Sequence, residues 1–137
     1  MPDEKTLVAE AIQLGVTNFE STRGAVPDSF KLLLEHAPAA FAGYGLMRSG
    51  LMKEGALDLK TKELIFTLLD TVIGATDGAK AHAANAIRLG LTIEQLSEGL
   101  VQCILAAGIT TWNVTGRAAL LHAIEVHTEM AMSQQRP

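Results

Sequence analysis

One glutamate and one histidine in this sequence are the residues whose types and placement best suit acid–base chemistry. Glu63 lies in "DLKTKELIF", a strongly helical stretch, and His82 lies in "GATDGAKAHAANAIRLG", which is built almost entirely from small residues. A carboxylate beside an imidazole fixes the tautomer and orientation of the ring, and such a pair can donate and accept protons near neutral pH. A histidine on an alanine-rich helix face is also typical of a packed core residue. A glutamate that follows lysines, as Glu63 does in "LKTKEL", is typical of a solvent-exposed charge. The residues alone leave both interpretations open.

A second group of polar residues, near the carboxyl end, invites comparison with a metal site. It comprises His122, Glu125, His127 and Glu129. The two histidines are five residues apart, which rotates them by about 140° around a helix, so they do not share a face. His122 and Glu125 can meet as a surface pair. We therefore predict no protein-bound metal.

Cys103 is the single cysteine of the chain. One cysteine cannot form an internal disulfide or a dithiol redox centre, which is typical of a protein in a reducing compartment. It lies among apolar residues in "LVQCILAAG", where thiols are usually inert. We predict a structural role for it.

The composition indicates a small globular protein. The 137 residues are 48% hydrophobic, 19% charged and 4% aromatic, with a net charge of -4. This length suits one domain, residues 1–137. The net negative charge does not provide the basic surface that nucleic-acid binding requires.

The opening "MPDEKTLVAE" lacks the features of a signal peptide, and no apolar run approaches the ~18 residues of a membrane span. We predict a cytoplasmic protein without membrane or nucleic-acid partners.

The elements that must position these residues all have helical patterns. We predict a helix from Asp3 to Gly15 and a short second one from Thr17. Further helices are predicted at Pro27, at Pro38, after the Asp58 cap, up to Gly90, after the Thr92 capping box, and over residues 110–132. No run alternates with a period of two, so we predict an all-α bundle. Several helices are apolar on more than one face, which favours a homo-oligomer.

The segment "GALDLKTKELIFTLLDTVIGATDGAKAHAANAIRLGLTIEQLSE" resembles the core of the carboxymuconolactone decarboxylase family, which includes the alkylhydroperoxidase D-like proteins. The upstream "VPDSFKLLLEHAPAAFAGYGLM" is similar to the family's Val-Pro-x-x-Phe segment, and the resemblance extends over about residues 20–130. It implies the alkylhydroperoxidase D-like helical bundle, assembled as a homotrimer or homohexamer. Glu63 and His82 fall at the positions of the family glutamate and histidine.

The resemblance also separates two branches of the family. The peroxidase branch has a Cys-x-x-Cys pair before the histidine, and Ala75 and Gly78 occupy those two positions here. Because disulfide exchange requires a thiolate, thiol-dependent peroxidase activity is disfavoured. The decarboxylase branch needs neither cysteine nor cofactor. A non-catalytic oligomeric binding protein of the same fold, with Glu63 and His82 as a structural pair, remains the alternative.

The decarboxylase resemblance implies a small carboxylated lactone as substrate. Loss of carbon dioxide leaves a dienolate that is protonated on carbon, and the resemblance makes His82 the proton donor and Glu63 the residue that orients it. An arginine suits the substrate carboxylates, and Arg48, Arg88 and Arg117 are the candidates, although Arg88 does not share the helix face of His82. Trp112 is a candidate for lining the ligand cavity or for a core or interface position.

Overall fold

The structure, a computed structural model, describes residues 1–136. Within this range the chain forms helices and turns and has no β-strand, which confirms the all-α prediction. The helices are α1 (Glu4–Arg23), α2 (Asp28–His36), α3 (Pro38–Leu51), α4 (Leu59–Ile73), α5 (Thr76–Arg88), α6 (Ile93–Ala107) and α7 (Arg117–Gln134), with a π-helical segment at Trp112–Gly116.

Contacts divide the chain into two compact units, the first from Met1 to Ala56 and the second from Leu57 onward. The first holds α1 to α3 and the second holds α4 to α7 with the π-helical segment. That the whole chain acts as one domain stays a prediction. The described residues include no helix that is both long and apolar enough to cross a bilayer. The cytoplasmic location also stays a prediction.

The first unit corrects one sequence prediction. We expected a helix ending at Gly15 and a new one starting at Thr17, whereas α1 is continuous from Glu4 to Arg23. Gly15 is buried, and a Cβ placed on it would lie 3.0 Å from the Cα of Gly45 in α3. Gly15 therefore allows α1 and α3 to cross closely and does not end a helix. The helix ends at Gly24, whose φ of 79° is the left-handed conformation typical of a glycine C-cap.

The second unit follows the predicted caps closely. Asp58 precedes α4 and its side chain accepts a hydrogen bond from the backbone N–H of Thr61. The Thr92 side chain accepts a hydrogen bond from the backbone N–H of Gln95, and the Gln95 side chain accepts one from the backbone N–H of Thr92. The predicted capping box is therefore present at the start of α6. These caps satisfy backbone donors that the first helical turn leaves without partners.

The core of the second unit is formed around the alanine-rich helix α5. Its buried residues are Ala79, Ala83, Ala84, Ala86, Ile87, Leu91, Leu96, Leu100, Ala119, Ala123 and Val126. Because alanine side chains are short, α4 and α7 both pack directly on α5. The small-residue stretch noted in the sequence is therefore a packing surface, and it brings α4 within reach of His82.

Candidate active site

Helices α4 and α5 bring the two predicted residues into direct contact. Oε2 of Glu63 lies 2.5 Å from Nδ1 of His82. The Glu63 side chain is 1% exposed and that of His82 is 13% exposed. An ionised carboxylate accepts hydrogen bonds only, so Nδ1 donates to it, and Nε2 is the nitrogen that can exchange a proton with another molecule. The predicted contact is present; the catalytic roles stay predictions.

An aromatic ring holds the imidazole from one face. The rings of Phe66 and His82 are stacked, with centroids 4.9 Å apart and planes inclined by 22°. Phe66 lies one turn after Glu63 on α4, so a single helix supplies both the carboxylate and the stacking surface. Rotation of the ring is therefore restricted by a hydrogen bond at Nδ1 and by the packing of Phe66 on one face.

The other oxygen of the glutamate connects the pair to an arginine. Nδ2 of Asn85 donates to Oε1 of Glu63 at 3.4 Å, and Nη1 of Arg88 donates to Oδ1 of Asn85 at 3.3 Å. Asn85 is buried and Arg88 is exposed. These bonds give the second carboxylate oxygen a partner and connect it to a positively charged side chain. Arg88 is thus linked to the pair through Asn85 although it does not share the face of His82.

A second carboxylate lies near Nε2, the imidazole nitrogen that Glu63 does not contact. Oδ2 of Asp70 is 3.9 Å from Nε2 of His82, and the Asp70 side chain is 21% exposed. Gly78 leaves the space for this carboxylate, because a Cβ at Gly78 would lie 2.4 Å from Oδ2 of Asp70. The position where the peroxidase branch has its second cysteine is therefore filled by a carboxylate from α4.

Sequence reasoning missed Asp70, Asn85 and Phe66. Each of them shares a helix face with a residue that it identified: Phe66 and Asp70 follow Glu63 by three and seven residues, and Asn85 follows His82 by three. This spacing is the signal that could have found them. The contact of Asp70 with Gly78 has no such signal, because it depends on how closely two helices approach.

Arg48, another predicted substrate ligand, lies in the first unit. Its guanidinium Nη1 donates to Oδ1 of Asn18, and to Oγ1 of Thr22 at 3.0 Å. Its Cζ lies 4.2 Å from the centroid of the Phe19 ring. The residue is 7% exposed, so in this unit it is a buried cation held by polar groups and an aromatic face. A role in substrate binding stays a prediction, as it does for the exposed Arg117.

Trp112 begins the π-helical segment and packs against the core of the second unit. The segment adjoins the start of α5, where the hydroxyls of Thr76 and Thr115 share a hydrogen bond of 2.8 Å. A Cβ on Gly116 would lie 3.3 Å from the Trp112 ring, so the indole is closely packed on the backbone of its own segment. Trp112 is half-buried. Its predicted place in a ligand cavity stays a prediction.

Cys103 is 4% exposed, and its thiol donates to the carbonyl oxygen of Leu68 at 3.6 Å. Burial raises the pKa of this thiol above its usual value of 9.0. The thiolate needed for disulfide exchange is therefore disfavoured at neutral pH.

Near the carboxyl end, His122 forms a simple surface pair with Glu125. Nδ1 of His122 lies 3.5 Å from Oε2 of Glu125. Over residues 1–136 the structure has no group of three or more histidine, cysteine, aspartate or glutamate side chains arranged to hold a metal ion.

Comparison with known proteins agrees with this architecture. The family model described as the carboxymuconolactone decarboxylase family matches residues 38–121. A crystal structure of a candidate carboxymuconolactone decarboxylase from Burkholderia xenovorans LB400 is similar to this chain, with a TM-score of 0.85 and 31% sequence identity. The similarity covers 92% of this chain and 98% of the other. No match is found among curated proteins.

Proposed function

This chain belongs to the carboxymuconolactone decarboxylase family, and we propose that it is a cofactor-free decarboxylase acting on a small carboxylated lactone such as 4-carboxymuconolactone. The observation that carries the proposal is the contact between buried Glu63 and His82. A buried carboxylate held on one imidazole nitrogen leaves the other nitrogen as a proton donor of fixed orientation.

The proposed reaction begins with cleavage of the carbon–carbon bond to the departing carboxylate. The electron pair of that bond is delocalised through the double bond onto the ring carbonyl oxygen, which gives a dienolate and carbon dioxide. A carbon atom of the dienolate then takes a proton from Nε2 of His82, and solvent returns a proton to the imidazole. The net change is the loss of carbon dioxide and the uptake of one proton.

Glu63 has two roles in this proposal. Its Oε2 accepts from Nδ1 and so keeps the donated proton on Nε2, and its charge stabilises the imidazolium before the proton is transferred. Asn85 donates to the second oxygen of Glu63 and accepts from Arg88, which fixes the orientation of the carboxylate. In this proposal the network holds the carboxylate and the imidazole in the orientation that proton transfer from Nε2 requires.

Arg88 is the arginine that we propose as ligand for a substrate carboxylate. It is exposed, and Asn85 connects it to the glutamate of the pair. A guanidinium matches a carboxylate bidentately, and lysine does not reproduce this geometry. We expect Arg88→Lys to raise KM with little change in kcat; an unchanged KM would remove Arg88 from substrate binding.

We also propose that the chain assembles with itself as a trimer or hexamer. Large apolar side chains of the second unit are exposed in the single chain, among them Ile73 at 75% and Leu105 at 87%. Soluble monomers rarely expose contiguous apolar patches of such residues. Sedimentation velocity should therefore give three or six times the chain mass of 14.6 kDa, and a monomer would contradict the proposal.

The experiment that tests the proposed activity is the incubation of pure protein with 4-carboxymuconolactone, followed by NMR beside a protein-free blank. Formation of the decarboxylated lactone above the blank supports the proposal. Absence of turnover would favour the alternative, a binding protein in which Glu63 and His82 form a structural pair.

A further inference from the structure

We propose that Asp70 is a second carboxylate partner of His82, which acts through the imidazole by stabilising its protonated form, and that Gly78 is the residue that admits it. The effect on catalysis rests on the proposed function, whereas the effect on the His82 ring does not. Asp70 is therefore a positioning residue of the same site.

The placement of Asp70 follows from its helix. It lies seven residues after Glu63 on α4, about two helical turns along the same face. Glu63 contacts Nδ1, and Oδ2 of Asp70 lies 3.9 Å from Nε2. That separation is longer than a hydrogen bond but is within the range in which opposite charges interact. Since the Asp70 and His82 side chains are 21% and 13% exposed, solvent screens this interaction only in part.

Gly78 makes this arrangement possible. A Cβ at this position would lie 2.4 Å from Oδ2 of Asp70 and 3.2 Å from its Cγ, so any larger residue would displace the carboxylate. Glycine is unfavourable within a helix relative to alanine, and Gly78 lies in the first turns of α5. The space that it leaves is occupied by the Asp70 carboxylate, which accounts for glycine at this position.

The charge of Asp70 distinguishes the two protonation states of the imidazole. When Nδ1 donates to Glu63, a neutral ring directs the lone pair of Nε2 outward, and a nearby carboxylate repels that lone pair. A protonated ring presents an N–H at the same place, which the carboxylate attracts. Two carboxylates at the two nitrogens therefore favour the imidazolium more than Glu63 alone.

Other charged groups on the helices packed against α5 have to be considered beside Asp70. The charged or titratable side chains of α4, α5 and α7 are Lys60, Lys62, Glu63, Asp70, Asp77, Lys80, His82, Arg88, Arg117, His122, Glu125, His127 and Glu129. The π-helical segment has none. Of this set, Glu63 and Asp70 have carboxylate oxygens that lie 2.5 Å and 3.9 Å from the two ring nitrogens of His82.

A purely structural role for Asp70 makes a different prediction. Asp70 is close to the first turn of α5, whose N-cap residue Ala75 makes no side-chain hydrogen bond, and a carboxylate stabilises a helix start. Asparagine caps helices about as well as aspartate. Asp70→Asn therefore removes the charge while it retains most of a capping role.

The test is an NMR titration of the His82 imidazole in the wild type, Asp70→Asn and Gly78→Ala, with the signal assigned from its loss in His82→Gln. We expect the titration midpoint of His82 to fall by about one pH unit in Asp70→Asn. Gly78→Ala should shift it in the same direction, because the new methyl group displaces the carboxylate without changing any charge. Gly43→Ala is the matched control, since a Cβ there meets nothing within 4 Å.

An unchanged midpoint in Asp70→Asn or in Gly78→Ala would overturn the proposal, and if one variant does not fold, the other decides. Where the wild type turns over the lactone, kcat of Asp70→Asn should fall about tenfold at pH values above the midpoint while KM is retained. If the wild type has no turnover, the proposed function fails, and the titration still decides the role of Asp70.

Discussion

The carboxylate of Glu63 is buried to 1% exposure and contacts a histidine, His82, through an Oε2–Nδ1 distance of 2.5 Å. A buried carboxylate is costly unless its oxygens have partners. His82 and Asn85 supply one partner to each oxygen. We therefore expect the pair to contribute to stability as well as to proton transfer, and these two contributions can be measured separately.

Removing the imidazole should destabilise the protein through the glutamate left behind. We expect His82→Ala to lower the free energy of unfolding by about 1–3 kcal/mol, because Oε2 of Glu63 loses its partner in a buried position. The double variant His82→Ala/Glu63→Gln should recover part of that loss, since the buried charge is gone. Urea unfolding of the wild type, both single variants and the double variant measures this. A double variant no more stable than His82→Ala would show that the buried charge is not the cause.

The helix caps indicate how far local sequence determined this fold. The Asp58 cap and the Thr92 capping box were predicted from the sequence because each depends on residues within one turn. The predicted helix end at Gly15 was wrong for the opposite reason. A side chain at Gly15 would collide with the backbone of Gly45, thirty residues away. The sequence pattern does not show that these two helices pack so closely.

The site shows the same division. Glu63 and His82 were predicted from their types and from the family resemblance, and two helices joined by a short turn bring them together. Asp70 was missed because its carboxylate lies beside His82 in space that Gly78 leaves open, and a contact between two helices is not visible in the sequence pattern. Whether Arg48 or Trp112 meets a ligand depends on the ligand, which sequence does not specify.

The crossing of α1 and α3 predicts opposite effects for two glycines of the same helix. A Cβ on Gly45 would lie 2.8 Å from the Cα of Gly15, and neither backbone can rotate away. We expect Gly45→Ala to destabilise the protein by about 1–3 kcal/mol. Gly43→Ala places its methyl group in open space and should stabilise α3 by about 0.5–1 kcal/mol. Thermal unfolding of the two variants compares them, and equal melting temperatures would contradict the crossing.

The cap of α4 predicts a dependence of stability on acidic pH. Hydrogen bonds from Thr61 hold the pKa of Asp58 below its ordinary value of 3.8. The unfolded state therefore binds the proton first, so the stabilisation is complete above the ordinary pKa and is lost as pH falls through the lowered one. We expect the stability difference between the wild type and Asp58→Ala to decrease as the solution is acidified below the ordinary pKa. A difference that stays constant across that range, in melting temperatures measured against pH, would show that the charge of Asp58 does not contribute.

Cys103 should be unreactive in the folded protein. Burial raises the pKa of its thiol, so less thiolate is present at a given pH than in an unfolded chain. We expect iodoacetamide to modify Cys103 much more slowly in native protein than in urea, and the native rate to rise as pH increases. Cys103→Ser should leave lactone turnover unchanged. Peroxidase activity that depends on Cys103 would contradict the assignment of this thiol as structural.

The measurement that tests the central claim most directly is lactone turnover by His82→Gln beside the wild type and His127→Gln. His127 is exposed on α7, so its variant controls for the loss of a histidine outside the pair. We predict that the wild type and His127→Gln release carbon dioxide from 4-carboxymuconolactone at similar rates, and that His82→Gln is slower by about 10²–10⁴-fold. A His82→Gln rate equal to that of the wild type would contradict the assignment of His82 as the proton donor.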